Sequence, residues 1–131
     1  MIKKNMDETK KGFMQNIGDL SFKKLDQSNF QFGIKITEKF LNTGGIAHGG
    51  FISTIADTGM GSAAHQVAGN KRCVTISLDI KFISAALPRE ILRGKVIILK
   101  RTKSLVFVNC EIRNEKTIIT TSSGVWKILK T

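Results

Sequence analysis

The residues able to do chemistry are few and closely spaced. His48 stands between glycine pairs in "GGIAHGG", residues 44–50, and Asp57 follows nine residues later inside a small-residue stretch. If a helix starts here, its first-turn N–H groups have no intrahelical partner and carry the positive end of the helix dipole. Gly49 and Gly50 have no side chains, so a ligand oxygen can approach the Gly49 N–H closely. A donor so placed stabilises the charge that builds on a carbonyl oxygen during acyl transfer. Asp57 occupies a mid-helix position where Asp is a poor helix former, in largely apolar surroundings where a carboxylate is paired or functional. It can serve as a nucleophile or as a base that activates water. A plain tight turn and a solvent-facing Asp are the alternatives that the helix alone leaves open.

Distance constrains the arrangement. Nine residues of helix span roughly 13 Å, so Asp57 cannot reach a carbonyl held at Gly49 of its own chain. If both act on one substrate, Asp57 must come from a second copy. A two-fold dimer with antiparallel central helices satisfies that requirement twice.

The elements that must position these groups follow from hydrophobic periodicity. Over residues 49–67, Phe51, Ile52, Ile55, Ala56, Met60, Ala63, Ala64 and Val67 recur at three- and four-residue steps, which predicts a helix. Gly59 and Gly61 each cost that helix about 1 kcal/mol relative to Ala, which implies close approach by another group. Small residues here also permit a second chain to come near. Residues 1–20 read as a short amphipathic helix bearing Phe13, Met14, Ile17 and Leu20. From Phe30 the period is two: Phe30, Phe32, Ile34 and Ile36 alternate with Gln31, Gly33, Lys35 and Thr37. Val74, Ile76, Leu78, Ile80 and Phe82 are predicted to share one strand face, opposite Thr75, Ser77, Asp79 and Lys81. Further strands are predicted over 91–101, 105–113 and 117–129, with short turns that make them antiparallel neighbours. The class is α+β, a single domain over 1–131 with an antiparallel sheet and one principal helix.

Bulk properties narrow the function. The 131 residues are 41% hydrophobic and 24% charged, ordinary for a soluble domain. No apolar run is long enough for a membrane-spanning helix, and "MIKKNMDETKKGF" resembles neither a secretory signal nor a transit peptide, so a cytoplasmic location is expected. Cys73 and Cys110 read as buried small hydrophobes, and with His48 and His65 they have no ligand spacing, so no metal is expected. The net charge is +11, and residues 71–131 carry thirteen Lys/Arg against four acids. Such a face attracts polyanions or is simply solvated. With no aromatic platform, no Tyr and one Trp near the end, neither nucleic acid nor membrane is an expected partner.

The pattern "NTGGIAHGG", then Asp57, then "TISLDIKFISAA", resembles the hotdog-fold acyl-CoA thioesterases of the PaaI type, over about residues 30–129. The resemblance implies an antiparallel sheet wrapped around one long central helix, homodimers joined edge to edge and often paired into tetramers. It also implies coenzyme A thioesters as substrates, with no cofactor. Residue by residue, it implies that Gly49 donates its N–H to the thioester oxygen and His48 shapes the turn. Asn42 helps hold the nucleophilic side or the carbonyl, Asp57 of the partner chain is base or nucleophile, and Thr75 supplies a hydroxyl that positions water or the Asp. Gly50, Phe51 and Phe82 are expected to line the substrate site, with Ile52 and Met60 in its far wall. Arg89, Lys100, Arg101 and Lys103, with Arg93 nearby, are candidates for the phosphates of coenzyme A. The segment "ISAALP" departs from the pattern: relatives commonly have proline directly after the Ser, where Ala85 stands here. Two other readings share the fold. A dehydratase or hydratase uses a His base in a motif that "HGG" does not fit. A non-catalytic acyl-CoA-binding protein has no need of the complete Asn, His, Gly, Asp and Thr set.

Overall fold

The computed structural model describes residues 12–130. Phe30, Phe32 and Ile34 all turn to one side of strand β2 (Asn29–Lys35) and are buried, as alternation requires. The same logic builds β4 (Ile91–Arg101), β5 (Leu105–Arg113) and β6 (Ile118–Ile128). With β1 (Ser21–Lys24) and β3 (Cys73–Phe82) they form one six-stranded sheet in the order β1-β2-β4-β5-β6-β3, every neighbour antiparallel. The long helix α1 (Gly49–Val67) follows β2 and packs against β2 to β6. This is the α+β hotdog arrangement, with the sheet curved around one helix.

The groups that approach the helix glycines belong to the chain's own sheet. A Cβ on Gly59 would lie 2.3 Å from the Phe32 ring, and one on Gly94 of β4 would lie 2.1 Å from the same ring. Phe32 therefore fills a slot opened in α1 and β4 together. On β6, Trp126 is 2% exposed, and its indole nitrogen would lie 3.1 Å from a Cβ on Gly61. Burying a large side chain of this kind contributes roughly 1.5–3 kcal/mol, which outweighs about 1 kcal/mol lost per helical glycine.

Three expectations need correction. Strand β1 was not anticipated: four residues with one buried apolar side chain, Phe22, are too short for a periodic signal. Of the helix predicted over 1–20, residues 1–11 lie outside the described residues. The rest forms only a 3-10 helix, Gly12–Asn16, followed by Gly18 at φ +83°; Phe13 points outward, while Ile17 and Leu20 enter the core. On β3 the predicted alternation is interrupted by a bulge between Thr75 and Ser77. Leu78 and Ile80 pack on the core, but Val74 and Ile76 are exposed and Thr75 turns towards α1. An extra residue in one strand reverses the inside–outside phase on its far side.

Candidate functional site

The entry to α1 is assembled by Asn42 and His48. Asn42 Oδ1 accepts from the N–H groups of Gly44 (2.9 Å) and Ile46 (3.2 Å), which closes the glycine-rich loop. That oxygen is committed to the loop, and only the Asn42 amide nitrogen remains to face a ligand. His48 is the N-cap residue, in extended conformation at φ −66°, ψ 135°. Its Nδ1 accepts from the Gly50 N–H at 2.8 Å, so the neutral ring carries its proton on Nε2. Gly50 is thus occupied by the cap: a Cβ there would sit 2.9 Å from His48 Nδ1. The Gly49 N–H has no acceptor among the described residues. A Cβ on Gly49 would meet only the Phe82 ring, at 3.6 Å. The loop is fastened to the sheet by the Ala47 N–H, which donates to the Ala86 carbonyl at 2.9 Å.

Two turns along the same helix, Asp57 is half-buried, and its Oδ1 accepts from Thr75 Oγ1 at 2.7 Å. No Lys, Arg or His forms a salt bridge with Asp57 among the described residues. A carboxylate held by a single hydroxyl, with no cation neutralising it, keeps an oxygen available to take a proton or attack an electrophile. Asp57 and Thr75 open on a cavity of about 340 Å³. The cavity runs along the helix past Gly61 and Ser62 to His65, and Arg72 and Trp126 also line it. His65 Nδ1 lies 2.7 Å from the Lys71 carbonyl, which can only accept, so that nitrogen carries a proton. Cys73 also borders the cavity; burial pushes its thiol pKa up, and the Arg101 charge pulls it part of the way back.

The structure does not gather every residue expected at the site. Asp57 and Thr75 meet directly, and Asn42, His48, Gly49 and Phe82 cluster at the helix entry, about 12 Å from Asp57 by helical rise. Phe51 is buried and stacked on Phe40, with ring centroids 4.1 Å apart, and Ile52 and Met60 are interior. These three build the core rather than a pocket wall within the protomer. Arg89 lines a separate cleft with Glu90, Ile91 and residues 114–116, and Arg93 faces another on the outer side of the sheet. Lys100, Arg101 and Lys103 lie at the β4–β5 hairpin and do not line the Asp57 cavity. The cation that does line it is Arg72, which the sequence reading passed over. One signal pointed to this wall: Gly61 and His65 follow Asp57 at four-residue steps on one helix face.

A sequence-family model for the thioesterase superfamily matches residues 44–120, more than half of the chain. A curated Pseudomonas aeruginosa protein, provisionally named an esterase, is 29% identical over 103 residues, covering 78% of this chain and 77% of that protein. Among solved structures, zebrafish thioesterase superfamily member 2 superposes with a TM-score of 0.88 at 19% identity, over 97% of this chain and 95% of that one. A hypothetical thioesterase protein of Streptococcus pneumoniae, solved with coenzyme A, superposes with a TM-score of 0.79 at 18% identity, over 86% of this chain and 88% of the other.

Proposed function

The chain belongs to the thioesterase superfamily, and on that premise we propose that it hydrolyses acyl-CoA thioesters to a free acid and coenzyme A. The observation that carries this reading is the pairing of Asp57 with Thr75 on the wall of a cavity, with no cation bound to the carboxylate among the described residues. The coenzyme A in the pneumococcal relative supports the choice of thioester. In this reading the carbonyl oxygen sits on the free Gly49 N–H, where the helix dipole and one backbone donor stabilise the oxyanion. The Asp57 carboxylate either takes a proton from a water that attacks the carbonyl, or attacks the carbonyl itself to give a mixed anhydride that water then hydrolyses to free acid and Asp57; Thr75 holds it in place. The His48 Nε2–H and the Asn42 amide are further donors at the helix entry that this reading can use. The coenzyme A thiolate departs and is protonated from solvent. The chemistry calls for no cofactor.

A second copy completes the site, because Gly49 and Asp57 of one chain are about 12 Å apart. The sheet edge supports such an assembly. Strand β3 is an outer strand, and Val74, Ile76 and Phe82 along it are about half exposed. An unpaired edge carrying large apolar side chains favours pairing with another chain.

The experiment is free-thiol release from a panel of acyl-CoAs by wild type and Asp57→Ala, with sedimentation to monitor assembly. The reading expects turnover by wild type and a loss of at least a hundredfold in the variant, with the dimer retained. Unaltered turnover in Asp57→Ala would refute it.

A further inference from the structure

The far wall of the Asp57 cavity carries hydrogen-bond donors in excess of acceptors. Trp126 is 2% exposed yet borders the cavity, and its indole N–H makes no hydrogen bond among the described residues. It points across Gly61, where the missing side chain leaves it uncovered: a Cβ there would come within 3.1 Å of the nitrogen. The nitrogen is not among the fully buried unpaired atoms, so it opens on the cavity and can donate to a ligand oxygen there. Arg72 lines the same wall and forms no salt bridge among the described residues. The Ser62 hydroxyl lies one residue beyond Gly61 on the cavity side of α1. Asp57, the cavity's acid, is about 6 Å from Gly61 along the helix.

We propose that this wall is an anion subsite in which Trp126, Arg72 and Ser62 hold an anionic oxygen group of the substrate while its thioester lies at Asp57. The inference rests on the thioesterase reading of the site. Two parts of the substrate can supply the group: a terminal carboxylate on the acyl chain, or a phosphate of coenzyme A. A guanidinium and an indole N–H suit either, because charge-assisted donation to a charged oxygen is stronger than donation to a neutral one. An acyl chain ending in a methyl group would offer these donors no charged acceptor. The subsite therefore selects against a purely apolar acyl tail if the tail is what enters it.

The test compares adipyl-CoA, hexanoyl-CoA and S-hexanoyl-N-acetylcysteamine as substrates for wild type, Arg72→Gln and Gly61→Ala. Gly61→Ala places a methyl over the indole nitrogen, and Arg72 is exposed, so neither variant removes core contacts. If the group is an acyl carboxylate, the preference for adipyl-CoA over hexanoyl-CoA falls about ten- to a hundredfold in both variants. If it is a phosphate, KM rises for both CoA thioesters, but the N-acetylcysteamine thioester, which has no phosphate, keeps its value. Either result supports the subsite. Variants matching wild type on all three substrates would overturn it. Should wild type hydrolyse none of them, the thioesterase reading is judged by the wider acyl-CoA panel, and the subsite is judged by binding instead. Trp126 is the sole tryptophan, so its fluorescence reports its own wall. A response to adipate or coenzyme A that Arg72→Gln abolishes supports the subsite, and no response to either overturns it.

Discussion

Thr75 Oγ1 donates a 2.7 Å hydrogen bond to Asp57 Oδ1, joining the edge strand β3 to the middle of α1. The bond exists because the bulge after Thr75 turns that side chain inward. A hydroxyl on a carboxylate both orients it and limits its rotation, which matters for a group that must meet a water or carbonyl at a defined angle. Thr75→Ala should therefore lower kcat about ten- to a hundredfold, the range for losing a hydrogen bond to a charged group. Thr75→Ser, which keeps the hydroxyl, should restore most of it. Loss of kcat in Thr75→Ser as deep as in Thr75→Ala would separate the hydroxyl from the effect.

The His48 cap predicts a stability pattern independent of activity. His48→Ala should cost about 1 kcal/mol, the usual value of an N-cap, and His48→Asn should recover it with another side-chain acceptor. Gly50→Ala should lose the same cap, because its methyl would lie 2.9 Å from Nδ1 and must expel the ring, and it should regain up to about 1 kcal/mol from replacing a helical glycine. The double variant His48→Ala/Gly50→Ala should then cost little more than Gly50→Ala alone. Urea unfolding midpoints at constant m-value measure all four, and strictly additive losses would show that the two residues do not share one interaction.

Much of this architecture was legible because its signals are local. The step of three and four in α1, the alternation in β2, and the spacing from Asn42 through His48 and Gly49 to Asp57 and Thr75 can all be read along the chain. What was not legible depends on contacts across the sheet. Nothing near Gly59 or Gly94 in sequence announces that one ring, Phe32, empties both positions. The role of Gly50 is set by a ring two residues away, while its neighbour Gly49 remains open to a ligand. The bulge at β3 hides in an unbroken apolar alternation, so Thr75 reads as facing away from the very carboxylate it binds. Arg72 was invisible because one cation among many in a basic chain carries no spacing signal of its own.

The buried thiol of Cys110 predicts a pH dependence. Burial, the dominant cause, pushes its pKa from the usual 9.0 to about 12, against a smaller opposing effect of the Ser122 hydrogen bond. A pKa raised in the folded state means that above pH 9 the unfolded chain has released a proton that the native chain still holds. This contribution to stability is complete below pH 9 and is lost as pH rises from 9 towards 12, at up to roughly 1.4 kcal/mol per pH unit. Cys110→Ala should lack that slope, whatever its offset in stability from the lost side chain. Parallel stability curves for wild type and variant between pH 9 and 11 would contradict it. In the same protein at pH 8, a disulfide reagent should modify half-buried Cys73 well before Cys110.

Gly49→Pro provides the sharpest test of a shared site, because the helix tolerates proline at its first position, where the N–H has no intrahelical partner. The residue before it must be extended, and His48 already is, at ψ 135°. The substitution therefore removes the proposed oxyanion donor and leaves the helix standing. Turnover should fall about a hundred- to a thousandfold, the range for losing one such donor. Mixed with Asp57→Ala, the variant should complement. In a heterodimer, the Asp57→Ala chain supplies an intact Gly49, the Gly49→Pro chain supplies an intact Asp57, and these two meet in one site while the other site has lost both groups. Random re-association of equal amounts makes half of the dimers mixed, each with half of its sites working, so about a quarter of wild-type activity should return. The return must follow subunit exchange, appearing on refolding together and not when the two stable homodimers are merely combined. If folded, re-associated mixtures stay as inactive as their parents, Gly49 and Asp57 do not serve one substrate across two chains.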